Sequence, residues 1–123
     1  MARRRQSAQA TAERICGGDP PFVAMGDFLD DFYAADNRQR PALIAEPPAQ
    51  PPDRRWAAYL AAAIEVLCAR YDLPVPEWTQ RPAYFLDRAW FVWDGARMLS
   101  LLDTPCPFAR HGVFADSRIL SRT

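Results

Sequence analysis

The chain has 123 residues, half of them hydrophobic and four of them Trp; that apolar content excludes an intrinsically disordered chain and leaves room for one domain of ordinary size. Fifteen Arg, no Lys and fifteen Asp plus Glu give a formal charge of zero, which removes bulk electrostatic attraction to nucleic acid as an argument. Cys16, Cys68 and Cys106 are odd in number and widely spaced, so neither a disulfide framework nor a zinc site with C-x-x-C spacing is indicated, and reduced, buried thiols in a cytoplasm are expected.

Residues 1–6 form a basic polar tail, expected to be flexible. No apolar h-region follows it and nowhere do eighteen apolar residues run together, so the sequence reads as neither exported nor membrane-spanning. From Ser7, SAQATAERICGG predicts a helix capped by Ser7, running to about Cys16 and ended by Gly17 and Gly18. Its apolar face is thin, mainly Ala8, Ala12, Ile15 and Cys16. Asp19-Pro20-Pro21 predicts the next start, with Asp19 as cap and Pro in the first turn. Behind it Phe22, Met25, Phe28, Leu29, Phe32 and Tyr33 follow helical spacing, while Asp27, Asp30 and Asp31 occupy the other side. Asp36 opens a shorter segment in which Pro41 either kinks the helix or begins it, with Leu43 and Ile44 facing inward.

EPPAQPP, residues 46–52, places four prolines in seven residues and predicts an extended connector, the one candidate boundary in the chain. The stretch 53–71 then predicts the central helix. Trp56, Tyr59, Leu60, Ala63, Ile64, Leu67, Cys68 and Tyr71 recur at 3.6-residue spacing along one face, Asp53 serves as N-cap, and Pro74 forbids continuation. Arg54 and Arg55 stand where the helix dipole disfavours cations, so they should turn outward to Asp53 or to acids across a loop.

Pro74, Pro76 and Pro82 disallow long regular structure after it, predicting a loop, a short helix near residues 82–87 and an extended run over 89–93. Residues 95–103 again show helical spacing through Met98, Leu99, Leu101 and Leu102. Thr104 is expected to cap a turn from Pro105 in which Phe108 buries and Gly112 ends the helix. Val113 and Phe114 read as extended, and Asp116 as the cap of a last turn holding Ile119 and Leu120.

Asp27, Asp30 and Asp31 share one helical face, and such a set is able to ligate a divalent cation; lacking the D-x-[DN]-x-[DN]-G loop, they read as a solvated acidic face whose natural partner is an arginine-rich protein surface. Trp78, Trp90, Phe91 and Trp93, without interleaved cations, read as core or protein-interface aromatics rather than a base-stacking platform. Arg3, Arg4 and Arg5 are suited to nonspecific phosphate contact. His111, the only histidine, lies at the end of a short helix and reads as a structural, capping residue. No catalytic or metal-ligand pattern and no phosphate-binding loop is found.

WAAYLAAAIEVLCARYDLPVPEWT over 56–79, RPAYFLDRAWF over 81–91 and LLDTPCPFARHGVFADSRIL over 101–120 together resemble a helical module of actinobacterial proteins. That module's pattern is an alanine-rich helix, L-P-x-P-x-W, F-L-D-x-x-W-F and T-P-x-x-F-x-x-x-G-x-F. It is found alone or after helix-turn-helix domains, often encoded beside a nucleotidyltransferase-like protein, a neighbourhood that implies a toxin–antitoxin pair with the small helical protein as the neutralising partner. The present chain departs from the regulator form. Residues 7–35 lack a helix-turn-helix and carry an Asp-rich second helix where a groove-reading helix wants Arg, Asn or Gln.

The sequence therefore predicts an all-α, mainly α fold: a small orthogonal helical bundle around one central helix, with aromatic- and Pro-rich loops. A tail at 1–6 would precede one helical domain at 7–123, divided into N-terminal helices (7–45), a Pro-rich linker (46–53) and the central helix with its aromatic C-terminal module (54–123). The expected function is a non-enzymatic, antitoxin-like protein-interaction module, cytoplasmic and without cofactor or metal. It would meet a nucleotidyltransferase-type toxin through Asp27, Asp30, Asp31, Trp78, Trp90 and Trp93. The second reading is a DNA-binding regulator or accessory subunit acting through Arg3, Arg4 and Arg5.

Overall fold

The computed structural model describes residues 5–92, 104–115 and 117–121. The fold is mainly α, and the chain divides into two compact units, residues 1–52 and 53–121. The division falls at the end of the proline-rich stretch.

In the first unit, α1 (Ala8–Cys16) is capped as its sequence requires: Ser7 Oγ accepts from the Ala10 amide, and Gly18 at φ 104° turns the chain out of the helix. α2 (Pro21–Ala34) packs on α1, burying Ala24, Met25, Phe28, Leu29 and Phe32, and α3 (Arg40–Ile44) holds Pro41 at its second position, in the first turn, where it does not kink the helix. The Arg40 guanidinium reaches back to close the end of α2, its Nε and Nη2 donating to the carbonyls of Phe32 at 3.0 Å and Tyr33 at 3.1 Å, where the helix dipole favours a cation.

Several expectations are corrected here. Asp19 does not cap α2: Pro20 is the cap residue without a side-chain bond, because the Asp19 carboxylate is held by Arg14 at 2.7 Å. Phe22 is 45 % exposed although its spacing assigns it to the apolar face, since it lies in the first turn, beyond the stretch that packs. Cys16 is exposed, so the expectation of buried thiols fails for it, and likewise for Cys106. Gln6 is no loose tail residue; its amide donates to Asp31 Oδ2 at 2.7 Å and its side chain to Thr11 Oγ1 and the Ala24 carbonyl. The connector turns back on α1, with the Pro47 carbonyl accepting from Gln9.

The second unit is built on α4 (Arg54–Tyr71). Asp53 Oδ1 accepts from the Arg55 amide, and Asp72 in the left-handed conformation ends the helix two residues before Pro74. Burial is not confined to the stripe of large side chains: residues 57–68 are all buried, Ala57, Ala58, Ala61 and Ala62 included. The helix is packed by α5 (Cys106–Arg110), by 3₁₀ turns at Glu77–Gln80 and Pro82–Tyr84, and by β2 (Val113–Phe114). Tyr59 meets Phe108 edge to face at 5.4 Å, and Trp78 meets Tyr84 in the same way at 5.1 Å.

The two extended runs form a short parallel sheet, Trp90 of β1 (Trp90–Phe91) opposite Val113 and Phe91 opposite Phe114. Gly112 at φ 88° sets up this pairing: its carbonyl accepts from the Trp90 amide at 2.8 Å, and a Cβ there would lie 2.8 Å from Leu86 Cβ. Thr104 does not cap α5; Pro105 occupies that position, and Thr104 Oγ1 accepts instead from the Ala115 amide at 3.1 Å. The helix predicted over 95–103 and the cap at Asp116 lie outside the described residues, while Ser117–Leu120 forms the expected last turn.

Candidate functional site

The acidic face of α2 is largely committed to its own unit. Asp31 is 4 % exposed and takes the Gln6 amide, and Asp27 Oδ2 is paired with Arg14 Nη1 at 2.8 Å. Arg14 also donates to Gln6 Oε1 and to Asp19, and its two carboxylate partners, Asp19 first, raise its already high pKa further. Asp30 is exposed. The solvated face read from spacing is thus one exposed carboxylate beside one ion-paired and one buried, because helical periodicity does not register the returning N-terminal segment.

Among the predicted aromatics, Trp78 is buried, Trp90 is half-buried, and Trp93 lies outside the described residues. Arg3 and Arg4 also lie outside them, while Arg5 donates to the Asp31 and Ala34 carbonyls at the end of α2. Of the predicted site residues that are described, Asp27, Asp30, Asp31 and Arg5 belong to the first unit and Trp78 and Trp90 to the second.

Trp90 instead belongs to an open groove of about 760 Å³ at the N-terminus of α4. One wall is Arg54, Arg55 and Trp56; the other is Leu86, Arg88 and Trp90. The indoles meet edge to face, 5.0 Å between ring centroids at 79°, and the Arg55 guanidinium lies over the Trp90 ring at 5.7 Å. Arg54 faces Asp87 at 3.8 Å, as expected of an acid across a loop; both side chains are mostly in water, so this pair is worth well under about 1 kcal/mol. The groove joins two copies of one short pattern, D-R-R-W at 53–56 and D-R-A-W at 87–90. That repetition is the sequence signal for Arg54, Arg55 and Arg88, which reading each segment separately passes over.

A second polar cluster lies in the same unit. Glu65, 5 % exposed on α4, accepts from Gln80 Nε2 and, at 3.0 Å, from Arg110 Nη1, while Arg110 Nη2 donates to Gln80 Oε1 at 2.9 Å. His111 follows directly and is wholly buried, its ring stacked on Phe85 at 4.1 Å. Its Nδ1 lies 2.6 Å from the Tyr84 carbonyl, which only accepts, so Nδ1 carries a proton. Nε2 is 3.2 Å from Glu65 Oε1 but off the hydrogen-bond line, leaving it without a hydrogen-bond partner among the described residues. With no exposed surface, this imidazole touches no solute. The cap expected of His111 on its own helix is not what its ring makes: the carbonyl it engages belongs to the Pro82–Tyr84 turn.

Burial, and secondarily the Glu65 carboxylate, push the Cys68 thiol up to about 11, and burial also raises the Tyr84 phenol. Cys68 Sγ donates weakly to the Pro74 carbonyl at 3.6 Å. Its environment thus favours the protonated thiol over the thiolate. Among the described residues no three His, Cys, Asp or Glu side chains gather as metal ligands, and no helix is long and apolar enough to cross a membrane. No family profile, no curated protein and no solved structure matches the chain.

Proposed function

We propose that this chain is a non-enzymatic, antitoxin-like protein-interaction module acting in the cytoplasm, the neutralising partner of a nucleotidyltransferase-type toxin. It would present its docking surface on a small orthogonal helical bundle around α4. The reading takes its partner class from the resemblance to the actinobacterial module and its surface from the geometry. The observation that carries it is Trp90, half-buried between Trp56 and Arg55 at an open groove. Trp and Arg are the residue types that contribute most at protein interfaces, and a partly desolvated ring with a guanidinium on its face loses little conformational freedom when a partner covers it.

Co-purification of the tagged chain from its host, with identification of what elutes, tests this. A stoichiometric nucleotidyltransferase-like protein, lost on Trp90→Ala, is expected. A chain that elutes alone, or with nucleic acid released by salt, would overturn the proposal, and the second result would favour the DNA-binding reading.

A further inference from the structure

We infer that the groove between the two D-R-x-W segments is a receptor for an acid-rich peptide segment carrying an apolar side chain, and that this segment belongs to the partner protein. The inference rests on the protein-interaction reading and specifies its chemistry. Three arginines, Arg54, Arg55 and Arg88, line one trough. Each is able to take a carboxylate through paired N–H donors, a geometry that also suits phosphate.

Two features select the carboxylate peptide. The cations alternate with Asp53 and Asp87, one lining the trough and the other facing Arg54 at 3.8 Å. A continuous polyphosphate would meet both acids, whereas a peptide can space its carboxylates between them. The indoles are also already engaged: Trp56 and Trp90 pack on each other edge to face, and Arg55 covers a face of Trp90. Among the described residues no pair of parallel rings lines the groove for a base, whereas Leu86, Trp56 and Trp90 in its lining offer apolar contact to one aliphatic or aromatic side chain. The chain's zero net charge adds no long-range attraction for nucleic acid.

Fluorescence anisotropy with a labelled Glu-Glu-Phe-Glu-Glu peptide tests the inference on the full chain. The acidic peptide should bind at least about tenfold more tightly than its Gln-Gln-Phe-Gln-Gln counterpart, and Arg55→Gln should weaken it about tenfold. Arg88→Gln, at an exposed position, should do the same with the melting temperature unchanged. Equal binding of the two peptides, no binding of either, or wild-type affinity in the Arg88→Gln variant would overturn the inference. Tighter binding of tripolyphosphate or of a five-nucleotide RNA would overturn it in favour of a phosphate site. A partner that co-purifies while the peptide fails to bind removes the inference and leaves the interaction reading standing; a bound peptide with no recovered partner does the reverse.

Discussion

Oε1 of Glu65 lies 3.2 Å from Nε2 of His111 without a hydrogen bond between them; the other ring nitrogen holds the Tyr84 carbonyl, and the tie from the middle of α4 to the end of α5 is Glu65 Oε2, which accepts from Arg110 Nη1 at 3.0 Å. One buried carboxylate thus joins three segments of the second unit: α4, the Glu77–Gln80 turn through Gln80, and α5 through Arg110.

Removing that carboxylate should cost far more than removing its exposed partner. Glu65→Ala strips the acceptor from Gln80 and Arg110 and leaves the buried Nε2 facing a void, a loss of about 2–4 kcal/mol. Arg110→Ala removes a guanidinium whose side chain is 57 % exposed and should cost about 1 kcal/mol or less. Urea unfolding of both variants checks the order; equal costs would show that the cluster does not hold the segments together.

Gly112 and Gly18 separate backbone conformation from crowding. Both have positive φ, but a Cβ at Gly18 meets open space and one at Gly112 meets Leu86 at 2.8 Å. Gly18→Ala should cost about 1 kcal/mol and Gly112→Ala about 2–4 kcal/mol, with loss of the Trp90–Gly112 hydrogen bond. Thermal unfolding of the two variants measures the difference.

The three thiols should divide by exposure. Cys16 and Cys106 are exposed and should react at once with an aromatic disulfide reagent in the native chain, whereas Cys68, 1 % exposed, should react only on unfolding. Because the Cys68 pKa is raised from 9.0 to about 11 in the fold, the stability it contributes is complete below pH 9 and is lost as pH rises towards 11. Tyr84 shifts in the same direction and steepens the alkaline loss. Denaturation curves across pH 8 to 11 should therefore fall less steeply for Cys68→Ala than for the parent chain; parallel curves would contradict this assignment.

How far the sequence foretells the molecule depends on the range of the interaction. Ser7 and Asp53 act as caps and Pro74 as a stop because these are local events within a turn of backbone. The stripe from Trp56 is real, but the alanines between its members bury equally, and a small side chain carries too little hydropathy contrast to reveal it. Asp31 reads as solvated since nothing in its own helix announces the amide of Gln6. Glu65 gives no signal at all, its partners arriving from later turns. The groove is the clearest case: each D-R-x-W segment is ordinary alone, and only the fold sets the two indoles 5.0 Å apart.

Hydrogen–deuterium exchange of the chain, free and bound to the protein that co-purifies with it, tests the docking surface most directly. Added protection is expected to concentrate at residues 53–57 and 86–91, the two walls of the Trp56–Trp90 groove. Protection centred instead on the Asp30 face of α2, with those two stretches exchanging as in the free chain, would contradict it.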